Sequence, residues 1–157
     1  MWHNKKLTLL LILTICLLFS CGTNHKLTPP DNVSILEFGT ESICDQTLES
    51  YGKHFTVEDI IQQSELCNKV DVPFAHFLIL AGYGETDDTL AETFENSKKI
   101  KKTVFFPFVG MRIYPGTKLF DIAVDEHIID RNDLLLEPKY YISKKVTAGT
   151  LKERAND

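Results

Sequence analysis

Pro73-Phe74-Ala75-His76-Phe77-Leu78-Ile79-Leu80, continuing into Ala81-Gly82-Tyr83-Gly84-Glu85-Thr86, is the stretch on which the fold turns. Its first eight residues form an apolar run of the length expected for a strand covered on both sides. The run ends in small residues and two glycines, and Thr86 then suits a helix N-cap. Asp87 and Asp88 follow in the first turn of that helix, and Lys98, Lys99, Lys101 and Lys102 crowd its far end, so the charges match the helix dipole at both ends. Leu90, Phe94 and Ser97 trace its inner face.

The same alternation extends in both directions. Upstream, Val33–Phe38 has strand chemistry and stops at Gly39, and a short helix is expected over Asp45–Tyr51. Thr56 caps a longer helix whose positions Val57, Ile60, Ile61, Ser64 and Cys67 recur at helical spacing. Downstream, Val104–Ile113 reads as a strand, Pro115-Gly116 breaks it, and Lys118–Asp125 reads as helix. Strand and helix in alternation mean parallel strands joined by crossovers, an α/β fold. A closed eight-stranded barrel needs about 250 residues, whereas residues 33–143 offer about 110. Periodicity therefore leaves two architectures open, a small open sheet and a piece of a barrel.

Outside that body the chain changes character. Met1–Lys6 carries two lysines, and Leu7–Phe19 is apolar apart from Thr8 and Thr14. As a helix, thirteen residues reach about 20 Å, short of the roughly 30 Å hydrocarbon core. A charged start and a short apolar run describe a signal peptide over residues 1–20 better than a membrane span. Leu18-Phe19-Ser20-Cys21-Gly22 resembles a bacterial lipoprotein box, which implies lipidation at Cys21 and a membrane-anchored chain. An uncleaved anchor, or a start that is not native to the fold, remains open beside it, and without a genuine leader the expected location is the cytoplasm. Residues 21–32, with Pro29 and Pro30, read as a linker, and residues 144–157 as a solvated polar tail.

Charge and motifs exclude several functions. From Cys21 onward there are 15 basic and 22 acidic residues, a formal charge of −7, and no basic stripe, so a nucleic-acid partner is not expected. There is no phosphate loop, no defensible Ser-His-Asp set and no metal-ligand spacing among the histidines. His76, inside a strand, reads as a packed or hydrogen-bonded residue, and Cys67, on an apolar helix face, as a small core residue.

Small, polar or charged residues follow each of the three apolar runs, where ligand sites of parallel α/β folds sit. They are Gly39-Thr40-Glu41-Ser42, Gly82-Tyr83-Gly84-Glu85-Thr86 and Gly110-Met111-Arg112-Ile113-Tyr114-Pro115-Gly116-Thr117. In this order and at these intervals they resemble the later strands of the radical S-adenosylmethionine barrel, and most of all the members that carry a cobalamin-binding domain. The resemblance covers residues 33–143. It implies a partial (β/α) TIM-like barrel of three or four parallel strands, with S-adenosylmethionine as cofactor. It also implies that Glu41 and Ser42 contact the ribose, that Gly82 and Gly84 let the backbone approach the adenine, that Glu85 holds the loop, and that Arg112 stands near the substrate side. From the residues alone, Gly82 and Gly84 could serve only a tight turn before Thr86, Glu41 could be a solvated turn residue, and Arg112 could pair with Asp121 or Glu126.

Enzymes of that family take an electron from a [4Fe–4S] cluster held by a Cys-x3-Cys-x2-Cys loop. Here the cysteines are Cys16, Cys21, Cys44 and Cys67, whose spacings form no such loop. The expected function is thus a fragment that keeps the cofactor-contacting strands and has no catalysis of its own. Two further expectations accompany it: a lipoprotein using the half-barrel as a binding module, and a partner supplying the missing N-terminal barrel half. Half a barrel would expose strand edges and an apolar inner face. A Cys44–Cys67 disulfide was the remaining option for an exported chain.

Overall fold

The computed structural model describes residues 35–154. The signal peptide, Cys21, the linker and Val33 lie outside these residues. The element order is β1 (Leu36–Glu41), α1 (Asp45–Ser50), α2 (Val57–Lys69), β2 (Phe74–Leu80), α3 (Asp87–Ser97) and β3 (Val104–Val109). There follow β4 (Met111–Arg112), α4 (Lys118–Asp125), β5 (Tyr140–Tyr141) and α5 (Ala148–Arg154). No described helix is long and apolar enough to cross a membrane.

The fold is α/β. β1, β2 and β3 form a parallel sheet in the order β1-β2-β3, with Leu36 beside Phe74 and Ala75 beside Val104. The register of β1 slips between Phe38 and Glu41, which loosens that strand at its carboxyl end. The described strands do not close into a barrel. The crossover helices start where their caps say they should. Thr56 and Asp59 make a reciprocal capping box on α2, and Thr86 and Thr89 make one on α3.

The main core lies between one face of the sheet and the helices. Phe74, Leu78 and Leu80 of β2 pack there with Ile60 and Cys67 of α2 and Leu90 of α3. His76 is buried on the same face, as its reading required. Ser64 Oγ donates to the Ile60 carbonyl (2.7 Å), so at 3.1 Å it accepts from His76 Nε2. Thr40 Oγ1 then serves Nδ1 at 2.6 Å, and the neutral ring has both nitrogens satisfied. Burial pushes its pKa down to about 4. Cys44 and Cys67 are both buried and free, so the disulfide option does not hold.

Three expectations need correction. The strand from Val104 ends at Val109, because Gly110 takes φ +84° and turns the chain. Met111–Arg112 then pairs antiparallel with Tyr140–Tyr141, a contact between segments too far apart in sequence to anticipate. The tail expected from Lys144 is in good part structure: Val146 is buried in the main core, Leu151 of α5 packs beside it, and Thr147 N–H donates to Asp87 Oδ1 at 2.9 Å. Finally, among the described residues the helices cover β2 on one side only. Phe77 and Ile79, on its other face, belong to neither hydrophobic core.

Candidate functional site at the carboxyl edge of the sheet

Because the three strands run parallel, the segments that follow them lie along one edge of the sheet. Glu41 ends β1, Gly82, Gly84 and Glu85 follow β2, and Arg112 follows β3 after the Gly110 turn. The sequence readings of these residues therefore meet on a common edge, but their side chains do different things.

At the end of β1, Glu41 has φ +66°, a left-handed conformation that turns the chain toward α1. Its carboxylate is partly exposed and pairs with Lys53 Nζ at 2.8 Å. Ser42 turns the other way. It is fully buried, and its hydroxyl lies 3.0 Å from that of Thr93 on α3. Beside it, Asn96 Nδ2 donates to the Ile43 carbonyl at 2.8 Å, so this corner is tied to α3 by polar contacts. Glu41 is thus partly exposed and ion-paired, and Ser42 is engaged in packing.

The loop after β2 is the most constrained part of the edge. Ala81 has φ +57° and Gly84 φ +85°. A Cβ on Gly82 would stand 2.1 Å from Tyr51 Oη and 2.9 Å from Met111 Cγ, so only glycine fits there. A Cβ on Gly84 would meet Ser50 Oγ at 2.9 Å, and Ser50 Oγ donates to the Tyr83 carbonyl at 2.9 Å. The close approach at Gly82 is made by the chain's own Tyr51, and the turn reading accounts for the φ of Gly84.

Glu85 is fully buried beneath this loop. Its Oε2 accepts from the Ala81 N–H, and the Glu85 carbonyl accepts from Ser143 Oγ at 2.7 Å. The carboxylate therefore ties the loop to the strand end. Burial raises its pKa to about 7, against the lowering pull of the Ala81 and Gly82 N–H groups. Its second oxygen, Oε1, has no hydrogen-bond partner, and neither have the buried Tyr51 Oη and Thr47 Oγ1 of the neighbouring α1 segment. Burial, with the Glu85 charge nearby, drives the Tyr51 phenol well above its ordinary pKa.

After β3, the Arg112 guanidinium lies over the Tyr114 ring at 4.9 Å. The exterior partners considered for it are taken: Asp121 pairs with Arg131 at 3.3 Å, and Glu126 accepts from the Tyr141 hydroxyl at 3.0 Å. Burial and that carboxylate raise the Tyr141 pKa to about 12.

A shallow cleft of about 320 Å³ opens beside the loop. Tyr83, Gly84, Glu126, Tyr141, Lys144 and Lys145 line it. Sequence reasoning reached Gly84 but missed the others, because the wall is built by a return of the chain. Ser143 N–H donates to the Ala81 carbonyl at 2.8 Å and brings the lysines to the loop. The signal that could have found them is Tyr140-Tyr141-Ile142, a strand-forming triplet in a segment otherwise read as irregular.

The described residues contain no group of three metal-ligating side chains. Cys44 Sγ donates to Glu92 Oε2 at 3.3 Å and Cys67 is in the core, so the thiols present do not fit an iron–sulfur cluster. For a nucleoside cofactor, the Glu41 carboxylate is of the type that accepts from hydroxyls, but it pairs with Lys53 and does not line the cleft at Gly84. That cleft is itself at the small end of ligand-binding size. Compared with protein-family models and with curated protein sequences, the chain matches none.

Proposed function

We propose that this chain is the S-adenosylmethionine-contacting part of a radical S-adenosylmethionine barrel, three strands of a (β/α) TIM-like barrel that do not catalyse alone. The observation that carries this reading is the common carboxyl edge shared by Glu41, the 82–86 loop and Arg112. Glu41 would take the ribose hydroxyls and the backbone around Gly84 the base, while Glu85 positions the loop from beneath. Bound S-adenosylmethionine supplies a carbon radical only when a cluster donates an electron, and no set of thiols in this chain is arranged to hold one. Catalysis would need an N-terminal half with its Cys-x3-Cys-x2-Cys loop, supplied from outside these residues.

Two measurements test this. Titration calorimetry with S-adenosylmethionine should give binding that Glu41→Ala weakens at least ten-fold; no heat from the wild-type chain would remove the cofactor role. Anaerobic iron–sulfur reconstitution should leave no stable cluster and yield no 5′-deoxyadenosine, and production of either by this chain alone would refute the inactive reading.

A second reading is a surface lipoprotein that uses the half-sheet as a binding module. The Leu18–Gly22 box and the uncovered apolar face favour it. Protease added to intact cells should then degrade the folded part and mass spectrometry should find acyl mass at Cys21. Protection together with an intact Met1 would exclude it.

A further inference from the structure

Among the described residues, one face of the sheet has no cover. Phe77 of β2 stacks on Phe106 and Phe108 of β3, with centroids 5.1 and 6.0 Å apart. Val104, Phe106 and Phe108 remain 53%, 44% and 56% exposed. Aromatic side chains bury about 150–250 Å² when fully covered, so Phe106 and Phe108 each still offer about 100 Å². With Val104, Ile79, Phe77 and Ile35 the patch is on the order of 500 Å², a size that marks an interaction surface. Two such patches together approach the roughly 1,000 Å² at which specific interfaces begin.

The patch is asymmetric in shape and charge. Its β3 side is bulky and aromatic. Its β1 side carries Glu37 and Gly39, both exposed, and a Cβ built on Gly39 would meet nothing within 4 Å. Glu37 lies in the same row as Ala75 and Val104, and the exposed Lys102 stands two residues before Val104 at the opposite margin. A ridge and a cation at one margin, a recess and an anion at the other, make a surface complementary to itself under a twofold rotation. Pro107, lacking an N–H, blunts edge-to-edge pairing along β3 and leaves the face as the route of association.

We propose that this face closes against a second copy of the chain, with the twofold axis parallel to β2 and lying between the stacked sheets. β1 of each copy then lies over β3 of the other, Phe106 and Phe108 fill the recess at Gly39, and Glu37 meets Lys102 across the interface. The pairing uses nothing of the cofactor edge, but it occupies the inner face that an N-terminal barrel half would cover, so the twofold pair and a completed barrel are alternative states of the chain. S-adenosylmethionine binding tests the cofactor reading and the crosslink tests the pairing.

The test is a photocrosslinker in the full chain. A benzophenone amino acid placed at Phe106 and irradiated in intact cells should give a product of twice the chain's mass, containing this chain only. The same probe at Glu58, exposed on α2, should give none. Monomer alone, or adducts to another protein or to lipid, would overturn the proposal. Glu37→Lys or Lys102→Glu alone should lower the crosslink yield roughly five-fold, as loss of the two symmetry-related cross-interface ion pairs predicts, and the double exchange should restore it. Because recovery in the double variant cannot arise from misfolding, its failure would also overturn the arrangement.

Discussion

The two faces of the sheet carry nearly the same chemistry and have opposite fates. On β2, Phe74, His76, Leu78 and Leu80 point to the helices and are buried, whereas Phe77 and Ile79, with Val104, Phe106 and Phe108 of β3, point away and stay at least partly exposed. The small Ala75 is buried even on the open face, and Pro107 and Val109, at the β3 edge, are exposed even on the helix side. Even the polar member of the covered face is satisfied, through Thr40 and Ser64. The difference comes from what the helices can reach. Ile60, Ser64 and Cys67 of α2 and Leu90 of α3 all pack on one side, so nothing among the described residues covers the other. Hydrophobic composition states what a strand can tolerate, and the connections decide what it receives.

That contrast can be broken most directly by truncation on each side. Leu90→Ala, on the covered face, should cost about 3–4 kcal/mol through lost burial and a residual cavity, lowering Tm by roughly 10 °C or more. Phe108→Ser, on the open face, should change monomer stability by less than about 1 kcal/mol. Thermal unfolding of both variants at low protein concentration checks this, and equal losses would mean that the open face is covered in the folded monomer.

The next effect sharpens the comparison at the loop. Glu85 has its folded-state pKa raised from 4.5 to about 7, so the native protein holds that proton more tightly than the unfolded chain. Its contribution is therefore full below about pH 4.5 and lost as pH rises through about 7, on the order of 3 kcal/mol in all. Urea denaturation at pH 5 and pH 8 should show the drop in a His76→Gln background, where the opposing histidine effect is absent, and adding Glu85→Gln should remove it. His76 has the opposite sign. Its pKa falls from 6.5 to about 4, so stability is lost as pH falls through that window, and His76→Gln should flatten the acid limb. A wild-type stability independent of pH between 4 and 8 would contradict both burials, unless the two slopes cancelled, which the single variants would reveal.

The smallest effect concerns a cap. Thr86→Ala removes the hydroxyl that accepts from the Thr89 N–H at 3.3 Å and should cost about 1 kcal/mol. An unchanged midpoint would mean that Thr89, which also bonds the Thr86 N–H at 2.9 Å, holds the helix start without it.

Most of the architecture was legible from local signals. The capping residues Thr56 and Thr86 marked the starts of α2 and α3, because a side-chain oxygen satisfying an orphan N–H acts within four residues. The three apolar runs marked the parallel strands, and His76 and Cys67 were read as interior residues for the same short-range reason. At the candidate site the reading located the edge, with Glu41 partly exposed on it and Glu85 bonded to its own loop. It did not foresee that Ser42 would turn inward to Thr93, that Tyr51 would fill the space beside Gly82, or that Lys144 and Lys145 would wall a cleft. Those contacts join residues from 31 to about 60 positions apart, and no spacing rule reports which of many distant partners will meet.

Local chemistry was thus enough to define the three parallel strands, the helices α1 to α4, their order and the glycine-bearing edge, since each depends on neighbours within a turn or a strand width. Three matters waited for the folded chain: the return of residues 140–151 onto the main core, the one-sided cover of the sheet among the described residues, and the burial of Glu85 with one carboxylate oxygen unpartnered. Each depends on which surfaces the connections bring together, and a buried carboxylate or an open aromatic face acquires its meaning only from what stands, or fails to stand, against it.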